Sequence, residues 1–279
     1  MSAAKKFIDY LNLSPSPWHA VEELGKMLKA RGYVELKEAS SEAWNLKKGG
    51  KYYMFRNQSA LLAFSIGGKF NPAKDGRFSI IGAHTDSPCI RIKPSSKVEK
   101  GGFVQVGVEC YGGGQWPTWM DRDLRVAGRI IHKRPNGQLA NKLVHINKAF
   151  MRIPTIAIHL NREQGTKLEI NKEDHTMPII AMAKKQIENE ASATMNANVM
   201  NTHASSIKKR HHSVLLNALN KASGIEVDDI LDFELCLADY QPAEIGGADD
   251  EFIYGPRLDN LLSSYTAVQA LMDADDTEI

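Results

Sequence analysis

The hydrophobic pattern of this chain changes character twice, and that change constrains the possible folds more than any other feature. In the first part, apolar residues at helical spacing alternate with short strand-like runs, which predicts an α/β layer. From about 90 to 170 the chain consists of β-branched and aromatic runs separated by turn signals such as Pro135-Asn136-Gly137. The pattern therefore predicts an α/β fold, over residues 1–95 and 233–279, that is interrupted by a β-rich unit over residues 96–232.

Local signals predict several individual elements. Ser16 can cap a helix that has Pro17 at its first position and ends before Gly32. The apolar residues of this helix recur at helical spacing, and they are Trp18, Val21, Leu24 and Leu28. The predicted strands include residues 52–56, 60–66, 78–83 and 233–238, and a further helix is predicted over 213–222, ended by Gly224.

The composition restricts the class of protein. Lys and Arg number 35 and Asp and Glu number 33, which gives a net charge of +2, and the charges are interspersed, so the sequence does not support a nucleic-acid-binding module. Cys89, Cys110 and Cys236 lie far apart without C-x-x-C spacing, which argues against a zinc ribbon and against a secreted disulfide framework and favours a cytoplasmic setting. No apolar run reaches membrane-spanning length and the first residues do not resemble a signal peptide, so we expect neither a membrane anchor nor secretion.

Residues 80–88 contain an apolar run that ends in a histidine, with a carboxylate two residues later. A neutral imidazole can bind zinc through one nitrogen when the other is held, and a nearby carboxylate often holds it. Asp86 is therefore placed to orient His84 or to bind a metal itself. A turn carboxylate beside a structural histidine explains the same two residues equally well.

A second carboxylate lies at a predicted loop-to-helix junction. Asn260 can cap a helix whose apolar positions follow the helical period, namely Leu261, Tyr265, Val268 and Met272. Asp259 directly precedes this cap, where a side chain can project into a site. From the spacing alone, a role in the cap is the better explanation of this carboxylate.

Six segments, in order along nearly the whole chain, resemble motifs of the aspartyl aminopeptidases, a family of dinuclear zinc exopeptidases. The segments are Ser14-Pro15-Ser16-Pro17-Trp18-His19-Ala20, Gly82-Ala83-His84-Thr85-Asp86-Ser87-Pro88, Tyr111-Gly112-Gly113-Gly114, Asp121-Arg122-Asp123-Leu124, Arg210-His211-His212-Ser213 and Pro256-Arg257-Leu258-Asp259-Asn260. The resemblance implies a zinc-exopeptidase-like α/β/α core and hydrolysis of N-terminal Asp or Glu from peptides by a water that two Zn²⁺ ions activate.

The resemblance also assigns roles to single residues. It implies that His84 is a ligand of one zinc ion, that Asp86 orients His84, and that Asp259 bridges both ions and precedes a cis peptide bond to Asn260. The β-rich unit resembles the dimerisation domain of the family, which implies a homo-oligomer in which His159 contributes to substrate binding at the neighbouring subunit. Periodicity alone would make His159 a solvent-facing residue of a strand.

Other family ligands have no counterpart in this sequence. The family takes a Glu-Glu pair, an Asp and a His from segments beyond the bridging Asp, whereas no Glu-Glu pair and no histidine follow Asp259, and Glu22-Glu23 belongs to the first predicted helix. We therefore expect a core that is incomplete at the C-terminus and a chain that is inactive alone. The alternative is a truncated, non-catalytic isoform or split product that oligomerises with a full-length enzyme and modulates it.

Overall fold

The computed structural model describes residues 2–40, 44–185 and 206–274, which form two compact units. The first unit combines Met1–Ser87 with Pro242–Ile279, and the second is Pro88–Gln241. The α-helices with defined bounds are α1 (Ala3–Leu13), α2 (Pro17–Ala30), α3 (Ser206–Arg210), α4 (Ser213–Ser223) and α5 (Leu258–Asp273). The strands are β1 (Val34–Glu35), β2 (Lys51–Arg56), β3 (Ala60–Ser65), β4 (Cys89–Lys100), β5 (Phe103–Tyr111), β6 (Asp123–Lys133), β7 (Leu139–Arg152), β8 (Ile179–Met182), β9 (Ile230–Asp239), β10 (Glu244–Gly246) and β11 (Phe252–Tyr254).

Helix α2 of the first unit confirms the prediction made from its capping signals. The Ser16 side chain accepts a hydrogen bond from the backbone N–H of His19, and Pro17 occupies the first helical position, where its missing N–H costs nothing. All four predicted apolar positions are buried, and they are Trp18, Val21, Leu24 and Leu28. This face is therefore the contact surface of α2 within the first unit.

Helix α5 packs against α1 and α2 in the core of the first unit. Its predicted apolar positions, Leu261, Tyr265, Val268 and Met272, are all buried. The ring of Tyr265 lies 5.3 Å from the ring of Phe7 and 5.3 Å from that of Tyr10, centroid to centroid, which is within the usual range of aromatic pairs. This packing fixes the position of the N-terminal end of α5, where Asp259 lies.

The sheet of the first unit has the strand order β1-β2-β3. Strand β1 pairs with β2 in parallel, and β2 pairs with β3 antiparallel from Lys51 opposite Ser65 to Arg56 opposite Ala60. These two strands confirm the runs predicted over 52–56 and 60–66.

The prediction of a strand over 78–83 is wrong. These residues form no ladder with any other part of the described chain, and Phe78, Ile80 and Ile81 are 87%, 86% and 71% exposed. A strand exists only where its backbone N–H and C=O groups pair with a neighbour, and the alternation of apolar residues predicts the tendency to pair without supplying that neighbour.

The second unit is a closed barrel with the strand order β4-β5-β8-β7-β6-β9, and β9 closes it by pairing with β4. Its interior is an apolar cluster that includes Leu124, Val126 and Ile130 of β6. Strands β6 and β9 approach closely at Gly128, where an added β-carbon would lie 1.9 Å from the carbonyl oxygen of Glu234. Helix α4 contributes Leu215, Leu216 and Leu219 to the same cluster and ends at Gly224, which has a left-handed backbone.

The expected fold class, α/β with an inserted β-rich unit, is confirmed, but the insert is longer than the sequence predicted. The units divide after Ser87 and after Gln241 rather than after residues 95 and 232. The run 233–238, which the sequence pattern assigns to the α/β part, belongs to β9 and pairs with β6 of the barrel. A strand pattern shows that a segment pairs, but not which sheet it joins.

One histidine of the second unit is buried beside β4 and β9. His211 is 1% exposed, its Nδ1 shares a hydrogen bond of 2.8 Å with the Ser96 hydroxyl, and its ring lies 4.4 Å from that of Phe233. Burial, reinforced by the neighbouring charge of Arg210, lowers the pKa of His211 to about 4, and Asp232 opposes this shift only weakly. The imidazole is therefore neutral in the folded protein near neutral pH.

This neutral histidine makes the barrel sensitive to acid. Because the pKa of His211 is lower in the folded state than in the unfolded state, the unfolded state binds more protons between about pH 6.5 and pH 4, and stability falls as the pH decreases through that window. We expect a loss of about 3 kcal/mol at most from this residue. Urea unfolding from pH 7.5 to pH 4.5 should show a shallower pH dependence for His211→Gln than for the wild-type chain. The two proteins should differ by a constant amount above pH 7, and parallel curves down to pH 4.5 would contradict the assignment.

Candidate metal centre

His84 lies in a loop that is held to the sheet of the first unit. The hydroxyl of Thr85, the next residue, donates a 2.9 Å hydrogen bond to the backbone carbonyl of Ser59, in the turn that leads into β3. This bond fixes the backbone on the C-terminal side of His84.

Two further hydrogen bonds join the same loop to α5. The buried hydroxyl of Ser264 donates to the carbonyl of His84 at 2.8 Å, and the hydroxyl of Ser87 donates to the carbonyl of Asp259 at 3.1 Å. Together they bring His84 and Asp259 close to each other, although the two residues are far apart in sequence.

The Nδ1 atom of His84 faces Asp86. Nδ1 lies 2.9 Å from the backbone oxygen of Asp86 and 3.2 Å from its Oδ1 atom. Because a carbonyl oxygen can only accept a hydrogen bond, the proton of the neutral ring is assigned to Nδ1. Nε2 then presents its lone pair, which is the form in which histidine binds a metal.

The Nε2 atom of His84 faces the carboxylate of Asp259. Nε2 lies 3.4 Å from Oδ1 of Asp259, longer than a usual N–H···O hydrogen bond. Two zinc bonds of about 2.0–2.2 Å that meet at the tetrahedral angle place their donor atoms roughly 3.4 Å apart. The two lone pairs repel each other unless a cation lies between them, so this donor pair fits a zinc ion in both chemistry and spacing.

The backbone around Asp259 departs from the predicted cap. Asp259 and Asn260 have non-helical dihedral angles at the start of α5, and the peptide bond between them is cis, as the resemblance implied. Arg257, which has a left-handed backbone, is the residue at the N-cap position and donates from Nη2 to the carbonyl of Leu11 at 3.3 Å. The prediction that Asn260 caps the helix is wrong, because its side-chain oxygen is buried without a hydrogen-bond partner in the described chain.

The two donors are open to solvent and incomplete as a zinc site. The side chains of His84 and Asp259 are 50% and 92% exposed. Within residues 2–40, 44–185 and 206–274, no group of three or more His, Cys, Asp or Glu side chains could hold a metal ion. Since a zinc ion takes about four ligands, these two side chains supply part of a coordination sphere.

The remaining predicted site residue belongs to the second unit. His159 is exposed and lies in a turn, in which the N–H of Leu160 donates to the carbonyl of Ala157 at 2.9 Å. Periodicity alone predicts that His159 belongs to a strand, and this prediction is wrong. The β-branched run 156–159 has strand propensity, but no neighbouring strand of the described chain pairs with it.

Sequence reasoning missed the residues that hold the site together. Thr85 and Ser87 belong to the same motif as His84. The sequence does not indicate that their hydroxyls bind the carbonyls of Ser59 and Asp259. Ser264 carried no signal, because a serine inside a helix is common and its contact with the His84 carbonyl joins distant segments.

Comparison with known proteins gives one consistent family. A model of the aminopeptidase I zinc metalloprotease (M18) family matches residues 10–279. The aspartyl aminopeptidase of Dictyostelium discoideum is 44% identical over 285 residues, which cover 99% of this chain and 58% of that protein. The chain spans little more than half the length of the curated relatives it matches.

Solved structures agree with the sequence comparison. A chain of the cryo-EM structure of the Ape4 and Nbr1 complex is similar with a TM-score of 0.85 and 39% identity, over 96% of this chain and 50% of that one. The Saccharomyces cerevisiae mApe1 dodecamer is similar with a TM-score of 0.80 and 28% identity, over 99% of this chain and 57% of that one.

The hydrogen bond from Ser264 predicts a local effect on the His84 loop. In Ser264→Ala the His84 carbonyl loses a buried donor, which we expect to cost about 1 kcal/mol and to accelerate amide exchange of residues 84–87 about fivefold. Hydrogen exchange followed by mass spectrometry measures this change. Ser263→Ala, at the exposed neighbouring position, is the matched control and should leave the loop unchanged. Equal exchange in both variants would show that Ser264 does not hold the loop.

Proposed function

The chain belongs to the aminopeptidase I zinc metalloprotease (M18) family, and on that premise we propose that His84 and Asp259 are zinc ligands of a peptide-hydrolysing site. The observation that carries the proposal is the 3.4 Å separation of His84 Nε2 and Asp259 Oδ1, with the other ring nitrogen held by Asp86. In this assignment His84 binds one zinc ion and Asp86 fixes the tautomer that leaves Nε2 able to bind.

Asp259 is proposed to bridge two zinc ions. One of its oxygens faces His84, and the high exposure of the side chain leaves the carboxylate accessible to a second ion. Two zinc ions, when bound, lower the pKa of a shared water and polarise the scissile carbonyl. The hydrogen bond from Ser87 to the Asp259 carbonyl holds the backbone that presents this carboxylate.

The substrate is proposed to be a peptide with an N-terminal Asp or Glu. The relative from Dictyostelium discoideum, 44% identical, is named an aspartyl aminopeptidase, and this name supports the preference for an acidic first residue. We further propose that the chain forms a homo-oligomer through its barrel and that His159 contributes to substrate binding in the neighbouring subunit. The exposed turn that carries His159 and the dodecameric state of the similar mApe1 support this arrangement.

A cytoplasmic location is proposed from the cysteines. Cys89, Cys110 and Cys236 are free thiols, and thiols persist in a reducing compartment. The helices of the described residues include none that is long and apolar enough to cross a membrane.

Zinc affinity tests the two ligands. We expect His84→Ala and Asp259→Asn each to weaken zinc binding to the purified chain at least tenfold, because each change removes one donor, and Asp86→Asn to weaken it less. Competition with a chromophoric chelator at pH 7.5 measures the affinity. His175→Ala, at an exposed turn histidine of the second unit, should have no effect. Wild-type affinity in His84→Ala would rule out the proposed ligand.

We expect the 279-residue chain to show no turnover of an N-terminal aspartyl substrate in the presence of zinc. The reason is that the described residues bring together two donors, too few to hold two ions and a water in place. A chromogenic aspartyl substrate measures the rate against a blank. Turnover that His84→Ala abolishes would show instead that the chain supplies a complete site.

We propose one alternative function for the chain. In this alternative the chain is a non-catalytic isoform or split product that joins a full-length enzyme and modulates it. The purified chain, mixed with the Dictyostelium discoideum relative, should then elute from a size-exclusion column as a mixed oligomer. This oligomer should hydrolyse an aspartyl substrate at a different rate from the relative alone. Separate elution of the two proteins would exclude this candidate.

A further inference from the structure

The segment Asp121-Arg122-Asp123 connects three parts of the second unit. Arg122 donates from Nε to the Asp239 carboxylate at 2.5 Å and from Nη2 to Oε1 of Gln241 at 3.0 Å, at the end of β9. Asp123 lies opposite Arg152 in the β6–β7 ladder and accepts a 3.0 Å hydrogen bond from its Nη1 atom. Both residues therefore bind the ends of barrel strands.

Asp121 binds the chain that leaves β7. Its Oδ1 accepts a 3.1 Å hydrogen bond from the backbone N–H of Thr155, its Oδ2 accepts one of 2.5 Å from the Thr155 hydroxyl, and its own N–H donates to the carbonyl of Ile153 at 2.9 Å. One carboxylate thus satisfies both donors of Thr155. Three bonds across this contact fix the direction of the chain after the strand ends.

The carboxylate of Asp121, whose charge strengthens these hydrogen bonds, is ionised near neutral pH. The hydrogen bond from the Thr155 hydroxyl, with smaller contributions from the Thr155 N–H and from Arg152, lowers the pKa of Asp121 below its ordinary value. The Nε atom of Arg152 lies 3.9 Å from Asp121 Oδ1. An ionised acceptor makes shorter and stronger hydrogen bonds than a neutral one.

Backbone hydrogen bonds to one carbonyl close the turn that follows Thr155. Leu160 and Asn161 both donate backbone hydrogen bonds to the carbonyl of Ala157, which closes the turn around His159. On either side of the histidine, Ile158 and Leu160 are 57% and 76% exposed. The turn therefore presents a histidine between two apolar side chains, and its direction is set where it begins.

We propose that Asp121 is a positioning residue that clamps the start of this turn and so presents His159, Ile158 and Leu160 to a second copy of the chain. The inference rests on the proposed function, in which His159 acts at the neighbouring subunit. Asp121 differs in this role from Arg122 and Asp123, because its side chain accepts both hydrogen bonds of Thr155, which lies beyond the end of β7.

Two measurements on the whole chain test the clamp. Sedimentation velocity measures the dissociation constant of the homo-oligomer, and hydrogen exchange measures the mobility of residues 156–161. Asp121→Asn keeps the shape and tolerates the left-handed backbone of this position, where φ is 56°, but it loses the charge. We expect association on the order of tenfold weaker and exchange of the turn about tenfold faster, with exchange in β6 and β7 unchanged.

A matched pair of changes at Thr155 provides the second variant. Thr155→Val keeps the volume and removes the hydroxyl donor, so it should show the same two effects, whereas Thr155→Ser keeps both donors and should behave as the wild-type chain. Asp228→Asn, which removes an exposed carboxylate paired with Lys208 elsewhere in the same unit, is the surface control.

The outcomes separate this inference from the proposed function. A wild-type oligomer whose association is insensitive to Asp121→Asn and Thr155→Val contradicts the clamp alone. Faster exchange throughout β6 and β7 in these variants also overturns it, because the contact would then stabilise the barrel in general. A wild-type chain that stays monomeric at every concentration contradicts the proposed role of His159 in trans, and with it the surface that Asp121 is inferred to position.

Discussion

The packing of α5 against α1 and α2 is the interaction on which the candidate site depends. The rings of Tyr265 and Phe7 make part of this contact, and it fixes the helix end that carries Asp259. The hydrogen bond from Ser87 to Asp259 joins residues 172 positions apart in sequence, so it forms only when this core has assembled. Apolar burial supplies most of the free energy of folding and sets the positions of the helices. The hydrogen bonds around His84 contribute less free energy, and they determine how the backbone of the loop is oriented.

Elements specified by neighbouring residues could be predicted from the sequence. The cap of α2 at Ser16 and the end of α4 at Gly224 depend on interactions within one or two turns, and both were predicted. The strand over 78–83 and the boundaries of the barrel were not, because pairing depends on which distant segment lies beside a strand. An apolar run contains its own propensity but no information about its partner.

The same division holds within the candidate site. His84 and Asp86 are two residues apart, and their contact could be predicted from spacing. That Asp259 lies near them followed from the family resemblance and not from its local sequence, which favoured a role in a helix cap. The contact of Ser264 with the His84 carbonyl could not be predicted at all, since a serine side chain has no preference that points to a carbonyl 180 positions away.

Strands β4 and β9, the first and last of the barrel, are antiparallel neighbours joined where Arg91 lies opposite Cys236. Because β4 begins at Cys89 and β9 ends at Asp239, the two ends of the second unit emerge side by side at one end of the barrel. A unit with adjacent termini can be placed in a surface loop of a host fold without stretching the host chain. The chain of the first unit therefore leaves at Ser87 and resumes at Pro242 across a short gap, whatever the length of the barrel between them.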